Sequence, residues 1–126
     1  MELKIDLKGT CISQIGPALM VIESGDPINV KKISKIQSGK PVVKKLATLN
    51  KEIYNFSVAK SENENFIYMT GGSGIAGKYA FALDLHSKKW STLPRLNFSR
   101  SMHSSMILGS NLYTIGGRTN TNERVG

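Results

Sequence analysis

Apolar and polar side chains alternate along short runs of this chain, and each run is cut by a turn of glycine, proline or clustered polar residues. Alternation with period two is the mark of a strand, whereas a helix returns its apolar residues every three or four positions. Thr10–Ile15 is β-branched and polar, Gly16-Pro17 turns the chain, and the apolar run Ala18–Glu23 follows, ending at Ser24-Gly25-Asp26-Pro27. Asn29–Gln37 places Val30, Lys32, Ser34 and Ile36 on one side and Lys31, Ile33 and Lys35 on the other, so apolar residues fall on both faces. Gly39-Lys40-Pro41 then leads into Val42–Leu46. Ile53–Ala59 and Phe66–Thr70 form a hairpin across the polar loop Ser61–Asn65. Tyr79, Phe81, Leu83 and Leu85 alternate with Ala80, Ala82, Asp84 and His86, and His86–Lys89 turns into a strand at Trp90. After a crossover at Pro94–Ser99 come Ser101–Leu108, the turn Gly109-Ser110-Asn111 and Leu112–Ile115. The expectation is an all-β chain.

One device occurs twice. Phe66–Thr70 closes on Gly71-Gly72, and Leu112–Ile115 closes on Gly116-Gly117, 45 residues later. Between them stand Tyr79 and Trp90, the latter followed by Thr92-Leu93-Pro94-Arg95. A strand ended by paired glycines, then Tyr, then Trp, at this period resembles the kelch repeat, each copy of which is one four-stranded antiparallel blade of a β-propeller. The resemblance implies scaffold roles for Gly71, Gly72, Tyr79, Trp90, Gly116 and Gly117, and also for Arg100 and His103, which match the Arg-x-x-His that opens many kelch first strands. A faint earlier copy emerges when 47 is added to Val43, Leu46, Leu49 and Asn50, which then fall on Trp90, Leu93, Leu96 and Asn97. The chain is thus expected to hold a degenerate blade over 1–46, the best-matching blade over 47–93 and a partial blade over 94–126, an incomplete propeller. A closed one takes four or more such units. The expectation is therefore missing blades in a longer chain, or self-association.

Net charge is +8, with 17 Lys and Arg against 9 acids, which suits an acidic protein partner, nucleic acid or an anionic surface. Cys11 stands alone, so no internal disulfide forms, and its apolar setting predicts a buried, inert thiol. The longest apolar run, Ala18–Ile22, is far short of the roughly 20 residues that span a bilayer, and no signal-peptide core precedes it. A cytoplasmic protein without membrane contact is expected.

Gly72-Ser73-Gly74-Ile75-Ala76-Gly77-Lys78 satisfies two nucleotide-binding patterns, G-x-G-x-x-G and G-x-x-x-x-G-K. Both mechanisms need a helix whose first amides meet phosphate, and the residues that follow alternate with period two instead. Tyr79 also stands where magnesium binding needs Ser or Thr. No cofactor is expected. His86, His103 and Cys11 lack metal-ligand spacing, while Ser104 and Ser105 lie near His103 in sequence but are expected to be kept from it because adjacent strand residues point to opposite faces. Neither a metal site nor a catalytic constellation is expected.

Loops of an antiparallel blade alternate between its two ends. Ser73–Lys78, Pro94–Arg100 and Arg118–Gly126 therefore share one end and carry Lys78, Arg95, Arg100, Arg118 and Arg124 against Glu123 alone. The opposite end holds Glu62 and Glu64. Lys78, Arg95, Arg118 and Arg124 are the candidate partner-binding residues, with Arg100 at risk of being used inside the scaffold. The leading expectation is a non-catalytic kelch-type module that offers this basic rim to a protein partner. The alternatives are a fragment of a kelch-like enzyme acting on sugars or holding copper, and nucleic-acid binding through Lys31, Lys32, Lys35, Lys44 and Lys45. The last lacks interleaved aromatic residues for base stacking.

Overall fold

The computed structural model describes residues 10–15, 18–25, 27–35, 41–61, 65–73 and 77–119. They fold into ten strands in three antiparallel sheets: the all-β class expected from the alternation. Two compact units divide the chain, Met1–Glu52 and Ile53–Gly126. Among the described residues no helix is long and apolar enough to cross a membrane. Cys11 lies on the first strand, and the surroundings of its thiol, like the turns at Gly16-Pro17 and Gly39-Lys40, fall outside what is described.

The first unit is one sheet of β1 (Thr10–Ile15), β2 (Ala18–Glu23), β3 (Ile28–Lys35) and β4 (Pro41–Leu49), paired in that order. Its core is drawn from both faces. Met20, Ile22 and Val30 lie on one side and Val21 and Ile33 on the other, all buried. The mixed pattern over Asn29–Gln37 thus reflects a strand covered on both faces rather than a weak one. A bulge between Val30 and Lys31 shifts the β3–β4 register, and β4 continues three residues beyond the expected Leu46, where Ala47, Thr48 and Leu49 still pair with Val30, Asn29 and Ile28.

The second unit begins with a four-stranded sheet of β5 (Ser57–Lys60), β6 (Phe66–Thr70), β7 (Ala80–Asp84) and β8 (Lys89–Thr92). Ile67, Met69, Phe81 and Leu83 share one face and are buried, with Trp90 directly opposite Leu83. On the other face the buried small residues Ala59, Thr70, Ala80 and Ala82 lie with the half-buried Phe66 and Tyr68, whose rings stack on each other. At the Thr70 end of that face comes the hairpin of β9 (Ser104–Leu108) and β10 (Asn111–Ile115), whose Ser105, Ile107, Leu112 and Thr114 are half-buried while Met106, Leu108, Tyr113 and Ile115 are exposed. A cleft of about 370 Å³ remains beside the contact, between Tyr68, Leu93, Ile107 and Leu112.

Two strands start later than their apolar patterns imply, and for one reason. Asn55 (φ 56°) and Met102 (φ 52°) adopt left-handed backbone, which cannot belong to an extended ladder. The Met102 N–H donates to the Asn55 carbonyl at 3.0 Å, so the two irregular residues are tied to each other. β5 consequently begins at Ser57 rather than Ile53, and β9 at Ser104 rather than Ser101.

Candidate functional site

The twin glycines end β6 with φ of 65° at Gly71 and 130° at Gly72, conformations that L side chains rarely adopt. A tight turn alone would explain that choice, but here there is a second demand. A Cβ on Gly71 would run into the Arg100 carbonyl oxygen and the His103 ring. The bare corner lets the strand entering the third sheet press against it, and the Gly72 N–H donates to the Arg100 carbonyl at 2.7 Å. Gly117, at the end of β10, serves likewise: a Cβ there would lie 2.5 Å from the Ser101 carbonyl oxygen and 2.7 Å from the His103 Cβ.

A polar clamp fills the space beside this corner. The Thr70 hydroxyl, on a residue of zero exposure, lies 2.8 Å from His103 Nε2 and 2.7 Å from the Ser105 hydroxyl. His103 and Ser105 are two residues apart and so share a side. Opposition between neighbouring residues separates His103 from Ser104 but not from Ser105. His103 Nδ1 is buried without a hydrogen-bond partner, so a proton on Nε2 leaves only a bare lone pair at Nδ1. Burial, and after it the neighbouring Arg100 guanidinium, holds the His103 imidazole below its ordinary value. The arrangement has the groups of a nucleophile and a base, but Thr70 is sealed from substrate. Its chemistry is to satisfy three polar groups across two sheets.

Arg100 is buried, and its Nη1 donates to the Gly116 carbonyl at 2.9 Å, so it is used inside the scaffold and withdrawn from the rim. Tyr79 sits just ahead of β7 rather than at its head, with its ring 6.1 Å from that of Phe81. Trp90 is half-buried, not fully enclosed, and its Nε1 is shielded without a hydrogen-bond partner. The ring lies partly beneath the surface while its polar edge does not find the partner that packing aromatics usually have.

The described residues of the three basic segments meet at one end of the unit. The Leu96 N–H donates to the Lys78 carbonyl at 2.8 Å, the Arg100 N–H to the Gly77 carbonyl at 2.9 Å, and Ser101 and Arg118 exchange backbone hydrogen bonds of 2.9 and 3.0 Å. Lys78, Arg95 and Arg118 are all exposed. The Arg95 guanidinium lies 5.1 Å above the Tyr79 ring, a contact that orients the charge without consuming it in an ion pair. Among the described residues none of the three pairs with a carboxylate. Arg124 and the acidic loop residues Glu62 and Glu64 lie outside the described residues.

Gly77 and Lys78 lie in a short 3₁₀ turn and the chain then enters β7, so among the described residues the glycine-rich run leads into a strand; residues 74–76 are outside the description. Asp84 proves to be a turn builder. Its carboxylate accepts from the His86 and Ser87 N–H groups at 2.9 and 3.3 Å, which lowers its pKa. Among the described residues no cluster of three or more His, Cys, Asp or Glu could hold a metal ion.

No protein-family model matches the sequence, and no curated protein matches it either. Solved structures do, and among them is that of YjhT, similar with a TM-score of 0.70 and 16% sequence identity over 92% of this chain. The chain spans 40% of the length of that structure. At such identity the likeness is one of fold.

Proposed function

We propose that this chain is a non-catalytic interaction module, a part of a kelch-type β-propeller that holds Lys78, Arg95 and Arg118 toward an acidic protein partner. The observation that carries the reading is the convergence of the described parts of three loop segments, separate in sequence, into one hydrogen-bonded end, where their exposed charged residues are Lys78, Arg95 and Arg118. Cationic groups held without counter-ions on a rigid frame raise the encounter rate with an anionic surface. Successive four-stranded antiparallel sheets, the 45-residue return of the paired glycines and the fold likeness to a larger solved protein support the propeller reading. Thr70, His103 and Ser105 bind one sheet to the next in this reading and turn nothing over.

The test replaces Arg95 and Arg118 by Glu and measures association with polyglutamate at two salt concentrations. The association rate is expected to fall about tenfold at low salt, with a flatter salt dependence. Unchanged rates would remove the rim from consideration.

A further inference from the structure

The first unit carries a different arrangement of charge, away from the glycine corners. β3 and β4 align Lys31 with Lys45 and Lys32 with Lys44 as direct cross-strand partners. Like charges directly opposite one another destabilise a sheet. Glu23 forms an ion pair with Lys31, but among the described residues Lys32, Lys44 and Lys45 have no carboxylate partner. Lysine on an edge strand has a simple purpose, to discourage pairing with stray strands. That purpose accounts for Lys44 and Lys45 but not for Lys31 and Lys32, which occupy an interior strand.

Among the described strands β4 is the last of its sheet, and Val42, Val43, Lys44 and Lys45 are all exposed, the valines by 44% and 49%. Consecutive residues point to opposite faces, so exposure of all four leaves both faces of this edge open. Each face offers one valine and one lysine, with a further lysine behind it on β3. We infer that this edge is a docking site for an extended acidic peptide segment, which adds to the sheet as a fifth strand. Backbone hydrogen bonds would supply the pairing, and side chains on alternate faces the selectivity. Every ladder of this sheet is antiparallel, so the added strand runs antiparallel to β4. Opposite Lys45, Lys44, Val43 and Val42 it then reads acid, acid, apolar, apolar. Carboxylates at the first two places face Lys45, whose neighbour Lys31 is already paired with Glu23, and the Lys32–Lys44 pair, and β-branched residues at the next two cover the valines.

The experiment uses the full chain and fluorescent peptides of about six residues with a central Glu-Glu-Val-Val. Binding is expected to exceed that of the reversed order Val-Val-Glu-Glu, and to be lost when alternate peptide nitrogens are methylated. Lys44→Glu with Lys45→Glu should weaken binding about tenfold, the effect of two cross-strand ion pairs, and should confer binding of a Lys-Lys-Val-Val peptide. That gain shows the variant to be folded and the register to be correct. Equal or better binding of the reversed order, retention after methylation, displacement by an oligonucleotide of equal charge, or no binding at all would overturn the inference.

Discussion

Two corners of the second unit carry the same dipeptide in different surroundings. At Gly71-Gly72 the first glycine is crowded by the Arg100 carbonyl and the His103 ring, while at Gly116-Gly117 the first glycine has nothing within 4 Å of where a Cβ would stand. Their backbone angles are close, 65° and 73°. Conformation is thus required of both first glycines, while emptiness falls on the first glycine at one corner and on the second, Gly117, at the other. What differs is how the segment entering the third sheet meets each corner: the Arg100 carbonyl and the His103 ring press on Gly71, and the Ser101 carbonyl and His103 Cβ press on Gly117, leaving Gly116 with the Arg100 side chain on its carbonyl. A repeated dipeptide records the demand of the repeat, while which of its two glycines must lack a side chain depends on the segment lying against it.

The sharpest way to break the comparison is Gly71→Ala. The variant must place a side chain in left-handed backbone and displace a backbone carbonyl, and the two costs together come to about 3 kcal/mol or more. Denaturant unfolding would measure it, and a loss below about 1 kcal/mol would show that the corner yields. Thr70→Val comes next. It keeps the volume but leaves His103 Nε2 and the Ser105 hydroxyl without their shared partner, at a cost of about 2 kcal/mol. The same clamp predicts a pH dependence. The folded imidazole of His103 binds its proton less readily than the unfolded chain does, so its contribution is complete above the ordinary value of 6.5 and is lost as pH falls below it. Stability against pH should therefore decline on the acid side in the parent chain, and less steeply in His103→Gln. Equal slopes would place the titration elsewhere.

Much of this architecture is legible in the sequence, because period-two alternation and glycine-bearing turns are local signals. β1, β2 and β6 fall where their apolar runs place them, and β7 lies within the alternating stretch that opens at Tyr79. The displaced starts of β5 and β9 were not legible: Asn55 and Met102 take left-handed backbone because they are hydrogen-bonded to each other across 47 positions, and no window of sequence contains both. Thr70 escaped for the same reason. It reads as the last residue of an apolar strand, and its role exists only once Ser105 is brought against it. The pairing of His103 with Ser105 could have been found, since two residues apart on a strand means one face. Arg100, Lys78, Arg95 and Arg118 were placed at one end by strand parity, but the burial of Arg100 depends on the Gly116 carbonyl, a partner 16 residues away.

A milder variant completes the comparison of corners. Gly116→Ala carries the strain of positive φ without any clash, and about 1 kcal/mol is expected from the same unfolding measurement. A cost matching that of Gly71→Ala would mean that crowding contributes nothing at Gly71.

The smallest effect has the opposite sign and concerns the residue between Arg100 and His103 that departs furthest from its own preferences. Met102 holds φ at 52° while its side chain is 61% exposed, so no packing compensates for the strain on the backbone. Its N–H bond to the Asn55 carbonyl needs only the backbone and survives any substitution except proline. Glycine removes the steric penalty of the left-handed region, about 1 kcal/mol, but enlarges the freedom of the unfolded chain, which returns part of that gain. Met102→Gly is therefore expected to raise stability by about 0.5 kcal/mol, and Met102→Asn, which tolerates the same angles with less unfolded-state entropy, by a similar amount. A loss in both variants would show that the exposed methionine side chain contributes to stability despite its position, and that the corner is held from outside as well as from Thr70 and His103.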